Sequence, residues 1–174
     1  MKIEVKNIKI NNSFSEETIC FIADVYVNGK KTAYAKNDGH GGATWYNSYE
    51  NMRDALNKAE EFAKSLPSTT ETFGGKTITL ESNLESMIDD VVYKFFNAKE
   101  IAKAEKKKEK LMESHIVFGV PNSDRYSYIG FNGKPKLSDV AKTPMGKLAI
   151  ENMVKRVKLQ LKDGQVIFNK NLFV

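Results

Sequence analysis

Cysteine is almost missing from this chain. Cys20 stands alone, so no disulfide can close within one molecule and no cysteine-based zinc site can assemble. A reducing compartment, the cytoplasm, fits that usage. Histidine is nearly as scarce. His40 and His115 are far apart in the sequence, and a metal centre needs more ligands than they supply, so neither metal nor cofactor is expected. No apolar run approaches the ~20 residues of a membrane-crossing helix, so no membrane partner is expected. The opening stretch MKIEVKNIKI alternates charge and apolarity, unlike the charged, apolar and small-residue blocks of a signal peptide. There is no internal repeat and no proline- or glycine-rich linker, so residues 1–174 read as a single α+β domain. Nor is there a recognisable serine or cysteine nucleophile beside a histidine base. No catalytic residue is therefore assigned.

What is present is charge, unevenly spread. The 174 residues are 41% hydrophobic and 28% charged, an ordinary balance for a folded protein, with a net charge of +5. Residues 1–98 hold 11 basic and 14 acidic side chains, while residues 99–174 hold 16 basic and 8 acidic. A basic half attached to an acidic one suits an anionic partner, either nucleic acid or an acidic protein face. Lysine used only for solubility is the alternative.

The hydrophobic pattern predicts the elements. Ile3, Val5, Ile8 and Ile10 alternate along a first strand, with a slip near Lys6 and Asn7 that marks a bulge. TICFIADVYV (18–27) is β-branched and aromatic. Asn28-Gly29 follows, the dipeptide of a tight hairpin into KKTAYAKN. Ser48 is placed to cap a helix that buries Met52, Ala55, Leu56, Ala59, Phe62, Ala63 and Leu66, ending before Pro67. KTITLE is a short strand. Ser82 and Glu85 have the spacing of a capping box, opening a long helix over 83–113. Its first half is apolar at Leu84, Met87, Ile88, Val91, Val92, Phe95 and Phe96, and its second half is polar. HIVFGV and RYSYIGF pair across a Pro-Asn-Ser-Asp turn. Thr143 caps a helix with Pro144 at its first position, ending near Gly164, and QVIFNKNLF closes the chain as a strand. The fold class is α+β: a mainly antiparallel sheet with an N-terminal hairpin, one long helix and two shorter helices.

Several stretches carry candidate chemistry. GGKT (74–77) resembles the tail of a phosphate loop, but Thr70 stands where the leading glycine belongs and a strand-like TITL follows. Asp38, Gly39, His40, Gly41 and Gly42 form a glycine-rich loop whose consecutive N–H groups could cradle an anion, or whose Asp38 could orient His40 as an acid–base pair. The plainer reading is a tight turn with Trp45 and Tyr46 packed on the core. Asp24 is expected on a solvated strand face. Cys20, in an apolar strand, is expected in the core.

The basic features point to a binding surface. Lys103, Lys106, Lys107 and Lys110 crowd the long helix with Lys99 and Lys108, and glutamates are interleaved among them. In the last helix Lys147, Lys155, Lys158 and Lys162 lie near one line, with Arg156 beside them and Glu151 interrupting. The opposite side carries Met145, Leu148, Met153, Val154, Val157 and Leu161. Such a helix has an apolar back and a basic front suited to a phosphate backbone. A solvated face is the alternative for both helices. Arg125 sits by Tyr126 and Tyr128, whose rings could stack unpaired bases or pack inward.

ADVYVNGKKTAYAKNDGHGG, HIVFG, TPMGKLAIENMVKRVKLQLKDG and QVIFNKNL together span most of the chain, and through them it resembles a family of small proteins of phages and other mobile elements. The resemblance implies a setting, a phage-related gene acting in the bacterial host cytoplasm. Small phage proteins without catalytic motifs often block host defences. By analogy with anti-CRISPR inhibitors of RNA-targeting CRISPR nucleases, the expectation is a non-enzymatic inhibitor of a host defence nuclease that contacts the nuclease or its guide RNA through the basic C-terminal half. The alternatives are a general RNA- or DNA-binding phage protein and a small enzyme using Asp38 and His40.

Overall fold

The computed structural model describes residues 1–74, 76–123, 125–170 and 172. Within them the chain forms nine strands and four helices, and every strand ladder is antiparallel, as the α+β reading requires. Two compact units are distinguished, Met1–Lys99 and Glu100–Val174. The division falls inside one long helix, beside the point where the charge balance of the sequence changes.

The first unit is built on a four-stranded meander: β1 (Ile3–Ile10), β2 (Phe21–Val27), β3 (Lys30–Asn37) and β4 (Trp45–Ser48), in that spatial order. The β1–β2 register shifts between Lys6 and Lys9, and Asn7 there takes a φ of 55°, so the slip in the apolar alternation is a bulge. Asn28 and Gly29 take φ of 48° and 81°, the left-handed pair that a two-residue hairpin turn demands. Phe21, Ala23, Val25 and Val27 point inward from β2, as do Ala33 and Ala35 from β3. They pack on Leu56, Ala59 and Ala63 of α1 (Arg53–Lys64) and on Leu84, Ile88 and Val92 of α2 (Leu84–Met112). Each fully buried Val, Leu or Ile contributes roughly 1.5–3 kcal/mol, so this face is the unit's main source of stability. A separate hairpin pairs β5 (Thr69–Phe73) with β6 (Lys76–Leu80).

Two helix starts differ from the sequence reading. Ser48 ends β4 and caps nothing; α1 begins after Met52, which makes no side-chain cap. The box at the start of α2 is shifted by one residue. Asn83 Oδ1 accepts from the Ser86 N–H at 2.7 Å, and Ser86 Oγ accepts from the Asn83 N–H at 3.2 Å. Ser82 instead donates to the Pro67 carbonyl at 2.7 Å. Asparagine caps as well as serine does, so two adjacent candidates competed and the inner one prevailed.

The second unit contains the basic end of α2, then β7 (His115–Gly119), β8 (Tyr126–Gly130), the short α3 (Leu137–Val140), α4 (Pro144–Gln160) and β9 (Val166–Ile167). Its sheet order is β8-β7-β9. Ile116, Leu137, Ile150 and Val157 form its core, with Phe118, Ile129, Met153 and Val154 around them. Thr143 Oγ1 accepts from the Gly146 N–H at 3.0 Å, the N-cap expected from the sequence. Asn169 ties the C-terminal segment to the sheet: its Oδ1 accepts from the Val117 N–H at 2.7 Å, and its Nδ2 donates to the carbonyls of His115 and Met112. Gly75, Asp124 and Asn171 lie outside the described residues, so the GGKT stretch, the Pro-Asn-Ser-Asp turn and the NKNL stretch are each only partly in view. Among the described residues no helix is long and apolar enough to cross a membrane.

Candidate nucleic-acid interface

Lys103, Lys106, Lys107 and Lys110 all fall within α2 and are all exposed. Residues three, four and seven apart on a helix share a face, so these four ammonium groups form one stripe. Only Lys103 has an ion-pair partner among the described residues, Glu100 at 3.6 Å. Glu105, Glu109 and Glu113 border a groove of about 860 Å³ with Lys108 and Met112. By helical spacing Glu105, Lys108 and Met112 lie on the side away from the lysine stripe, whereas Glu109 is three residues from Lys106 and Glu113 three from Lys110. Glu113 pairs with Lys136 at 3.2 Å, and the Lys108 ammonium lies 4.7 Å from the centre of the Phe168 ring. No ion pair joins Glu105, Glu109 or Glu113 to the stripe among the described residues.

In α4, Lys147, Lys155, Arg156 and Lys158 are exposed and have no ion-pair partner among the described residues. Lys162 is also exposed, but α4 ends at Gln160, so it belongs to the following turn, where its N–H donates to Gln165 Oε1 at 2.9 Å. The apolar back differs in part from expectation. Ile150 and Val157 are buried, with Met153, Val154 and Leu161 packed beside them, but Met145 and Leu148 are exposed. Leu159 is 87% exposed, so the solvent side of α4 mixes cations with bare apolar groups. Of the α4 cations, Lys147 alone borders the groove beside α2.

Arg125 is exposed just before β8, its N–H donating to Ser123 Oγ at 3.1 Å. Tyr128 is 58% exposed and meets His115 edge-on at 5.2 Å. The core face of β8 is carried by Ile129, so the shared face of Tyr126 and Tyr128 is not the core face.

The glycine loop is built around Asn37, the buried last residue of β3. Its Oδ1 accepts from the Gly39 N–H and from Thr18 Oγ1, each at 2.8 Å, and its Nδ2 donates to the Gly42 carbonyl at 2.9 Å. Gly41 N–H points to Thr18 Oγ1 at 3.3 Å. The N–H groups an anion would use at Gly39 and Gly41 are thus already engaged. Gly39 has a φ of +91°, and a Cβ there would collide with the Phe14 carbonyl oxygen, so glycine is needed for close approach. Asp38 and His40 do not pair. Asp38 faces Lys36 at 3.7 Å, and the His40 ring nitrogen faces Glu16 at 3.1 Å. Trp45 and Tyr46 also part company: Tyr46 packs on the core, whereas Trp45 is 49% exposed.

Two polar clusters escaped the sequence reading. Asp24 lies on the outer face of β2, as the sequence predicts, but its carboxylate is half-buried among polar partners. Burial opposes its charge, but hydrogen bonds from Asn7 (2.7 Å), Tyr49 (2.8 Å) and Lys31 outweigh that and hold its carboxyl below the usual range. Asp89 is pushed the other way: burial raises its carboxyl, the nearby Glu85 adds to this, and the 2.5 Å bond from Thr44 Oγ1 opposes it. Glu85 accepts from the Thr44 N–H at 2.9 Å. Tyr46, half-buried and beside Glu60, has its phenol pushed up to about 12. Among the described residues no group of three or more His, Cys, Asp or Glu side chains is placed to hold a metal ion.

The outer face of the first unit's sheet also went unread. The alternation of β2 and β3 that turns Ala23, Val25, Ala33 and Ala35 inward turns Tyr26, Tyr34 and Lys36 outward, which is the signal that marks this face. No protein-family model, curated protein or solved structure matches the chain.

Proposed function

We propose that this chain is a non-enzymatic nucleic-acid-binding protein whose Glu100–Val174 unit engages a phosphate backbone. The observation that carries the reading is the α2 stripe, Lys103, Lys106, Lys107 and Lys110, exposed on one helical face with a single ion pair among them. Lys147, Lys155, Arg156 and Lys158 of α4, with Lys162 and Arg125, add further exposed cations in the same unit. Ammonium groups held on a rigid helix with few acidic partners attract a polyanion, and binding gains free energy because they displace the cations condensed on its phosphates. In the setting that the phage resemblance implies, the polyanion is the guide RNA of a host defence nuclease, and occupying it inhibits the nuclease.

The test is fluorescence anisotropy with labelled RNA, followed by a cleavage assay with a guide-loaded, RNA-targeting CRISPR nuclease. Wild type binds RNA, and K103E/K106E/K107E/K110E binds far more weakly. Equal binding by the variant refutes the backbone reading. RNA binding without loss of nuclease activity assigns the chain as a general phage nucleic-acid binder and removes the inhibitor role.

A further inference from the structure

Solvent faces of antiparallel sheets ordinarily carry polar side chains. The outer face of β1–β4 carries Lys9, Asp24 and Lys36, but apolar and aromatic groups interrupt it. Ile22, Tyr34 and Trp45 point out from it, and Trp45 and Ile22 are 49% and 55% exposed. Register places Lys9, Ile22, Lys36 and Trp45 side by side across the four strands. Tyr34 meets Trp45 edge-on, with ring centres 5.4 Å apart and planes at 68°, and the Lys36 ammonium lies 5.6 Å from the centre of the Trp45 rings. Tyr34, Lys36, Asp38 and Trp45 line an open hollow of about 610 Å³.

We infer that this hollow is a stacking site for an unpaired nucleotide of single-stranded RNA, with the base lying on Trp45 against Tyr34 and its phosphate meeting Lys36 and Lys9. The inference rests on the nucleic-acid reading above and places a second, base-reading contact in the Met1–Lys99 unit. Rings alternating with ammonium groups match the two faces of a nucleotide, a flat π-surface and an anion. A paired base keeps its faces inside the helical stack, so the site selects single strands over duplex. Lys36 and Lys9 beside the rings supply the positive charge that a phosphate needs, which favours nucleic acid. The acids on this face leave the cations usable. Asp24 is occupied by Asn7, Tyr49 and Lys31, Lys9 has no ion-pair partner among the described residues, and Asp38 touches Lys36 only at 3.7 Å in an exposed contact.

Trp45 is the only tryptophan, so its emission reports this site directly. Full-length protein is titrated with a short oligoadenylate and, separately, with the same RNA annealed to its complement. Saturable quenching of Trp45 by the single strand and little by the duplex is expected. In anisotropy, Trp45→Ala and Tyr34→Ala each weaken single-strand binding about tenfold. Trp45→Phe retains most of the affinity, which a merely structural loss would not explain, and thermal melts confirm that each variant is folded. Single-strand binding with unchanged Trp45 emission and unchanged affinity of Trp45→Ala overturns the stacking site and leaves the backbone reading standing. Single-strand quenching that persists in K103E/K106E/K107E/K110E supports the stacking site and separates it from that reading. No binding of either RNA sinks both.

Discussion

The two halves of α2 follow one helical path and do opposite things. In the first half, Leu84, Ile88 and Val92, four residues apart, are buried against the sheet. In the second half a comparable spacing is filled by Lys103, Lys106, Lys107 and Lys110, all exposed. Backbone geometry is shared, so side-chain chemistry alone decides whether a face joins a core or remains open to a partner. An apolar face is stabilised by leaving water. A lysine face gains little from folding and stays in water with its charge exposed.

That contrast can be broken most forcefully from its buried end. Ile88→Lys places an unpaired charge among Leu84, Val92 and the sheet, and costs more than about 3 kcal/mol in a urea melt. The mirror substitution, Lys106→Leu, changes stability by no more than about 0.5 kcal/mol, because the site is exposed. If Lys106→Leu destabilises as Ile88→Lys does, the second half is packing as a core and the contrast is false.

A smaller effect sharpens the glycine loop. Gly39→Ala forces a Cβ onto the Phe14 carbonyl in a left-handed backbone and costs about 2 kcal/mol, whereas Gly42→Ala meets open space and is nearly neutral in the same melt. Equal effects would mean that the loop is not held by the Asn37 hydrogen bonds. In the second unit, Thr143→Ala removes the cap of α4 and costs about 1 kcal/mol.

The pH dependence of stability distinguishes three groups of the first unit. Asp24 has a lowered folded pKa, so its contribution is present above 3.8 and fades as pH falls below that value. Asp24→Asn should flatten the acid limb. Asp89 has a raised folded pKa, so its ionisation costs stability as pH rises from 3.8 through the folded value, and Asp89→Asn should remove that slope. Tyr46 costs stability as pH rises from 10.0 toward about 12, and Tyr46→Phe should remove this alkaline loss. Stability curves that the three substitutions leave unchanged would contradict these assignments.

Much of the fold was legible because local signals agreed with tertiary packing. Asn28-Gly29, the bulge at Lys6 and Asn7, the extent of α2 and the Thr143-Pro144 helix start all rest on short-range geometry. β4 was not legible: Trp45–Ser48 is four residues long and pairs only at an edge, so its signal is weaker than that of the helix start that Ser48 imitates. α3, four residues long, was missed for the same reason, and β5 because TTETF lacks the apolar alternation of a strand. The exposure of the basic residues followed from helical spacing. The partners of Asp24 and the outward placement of Trp45 depend on which strands become neighbours, and no single segment encodes that.

The most direct measurement is the salt dependence of RNA affinity, compared between wild type and K103E/K106E/K107E/K110E. If the four lysines contact phosphates of a single strand, the slope of log affinity against log salt is shallower by about 3 in the variant. An unchanged slope, with wild-type affinity retained, would place the anion contacts elsewhere and contradict the role given to the basic end of α2.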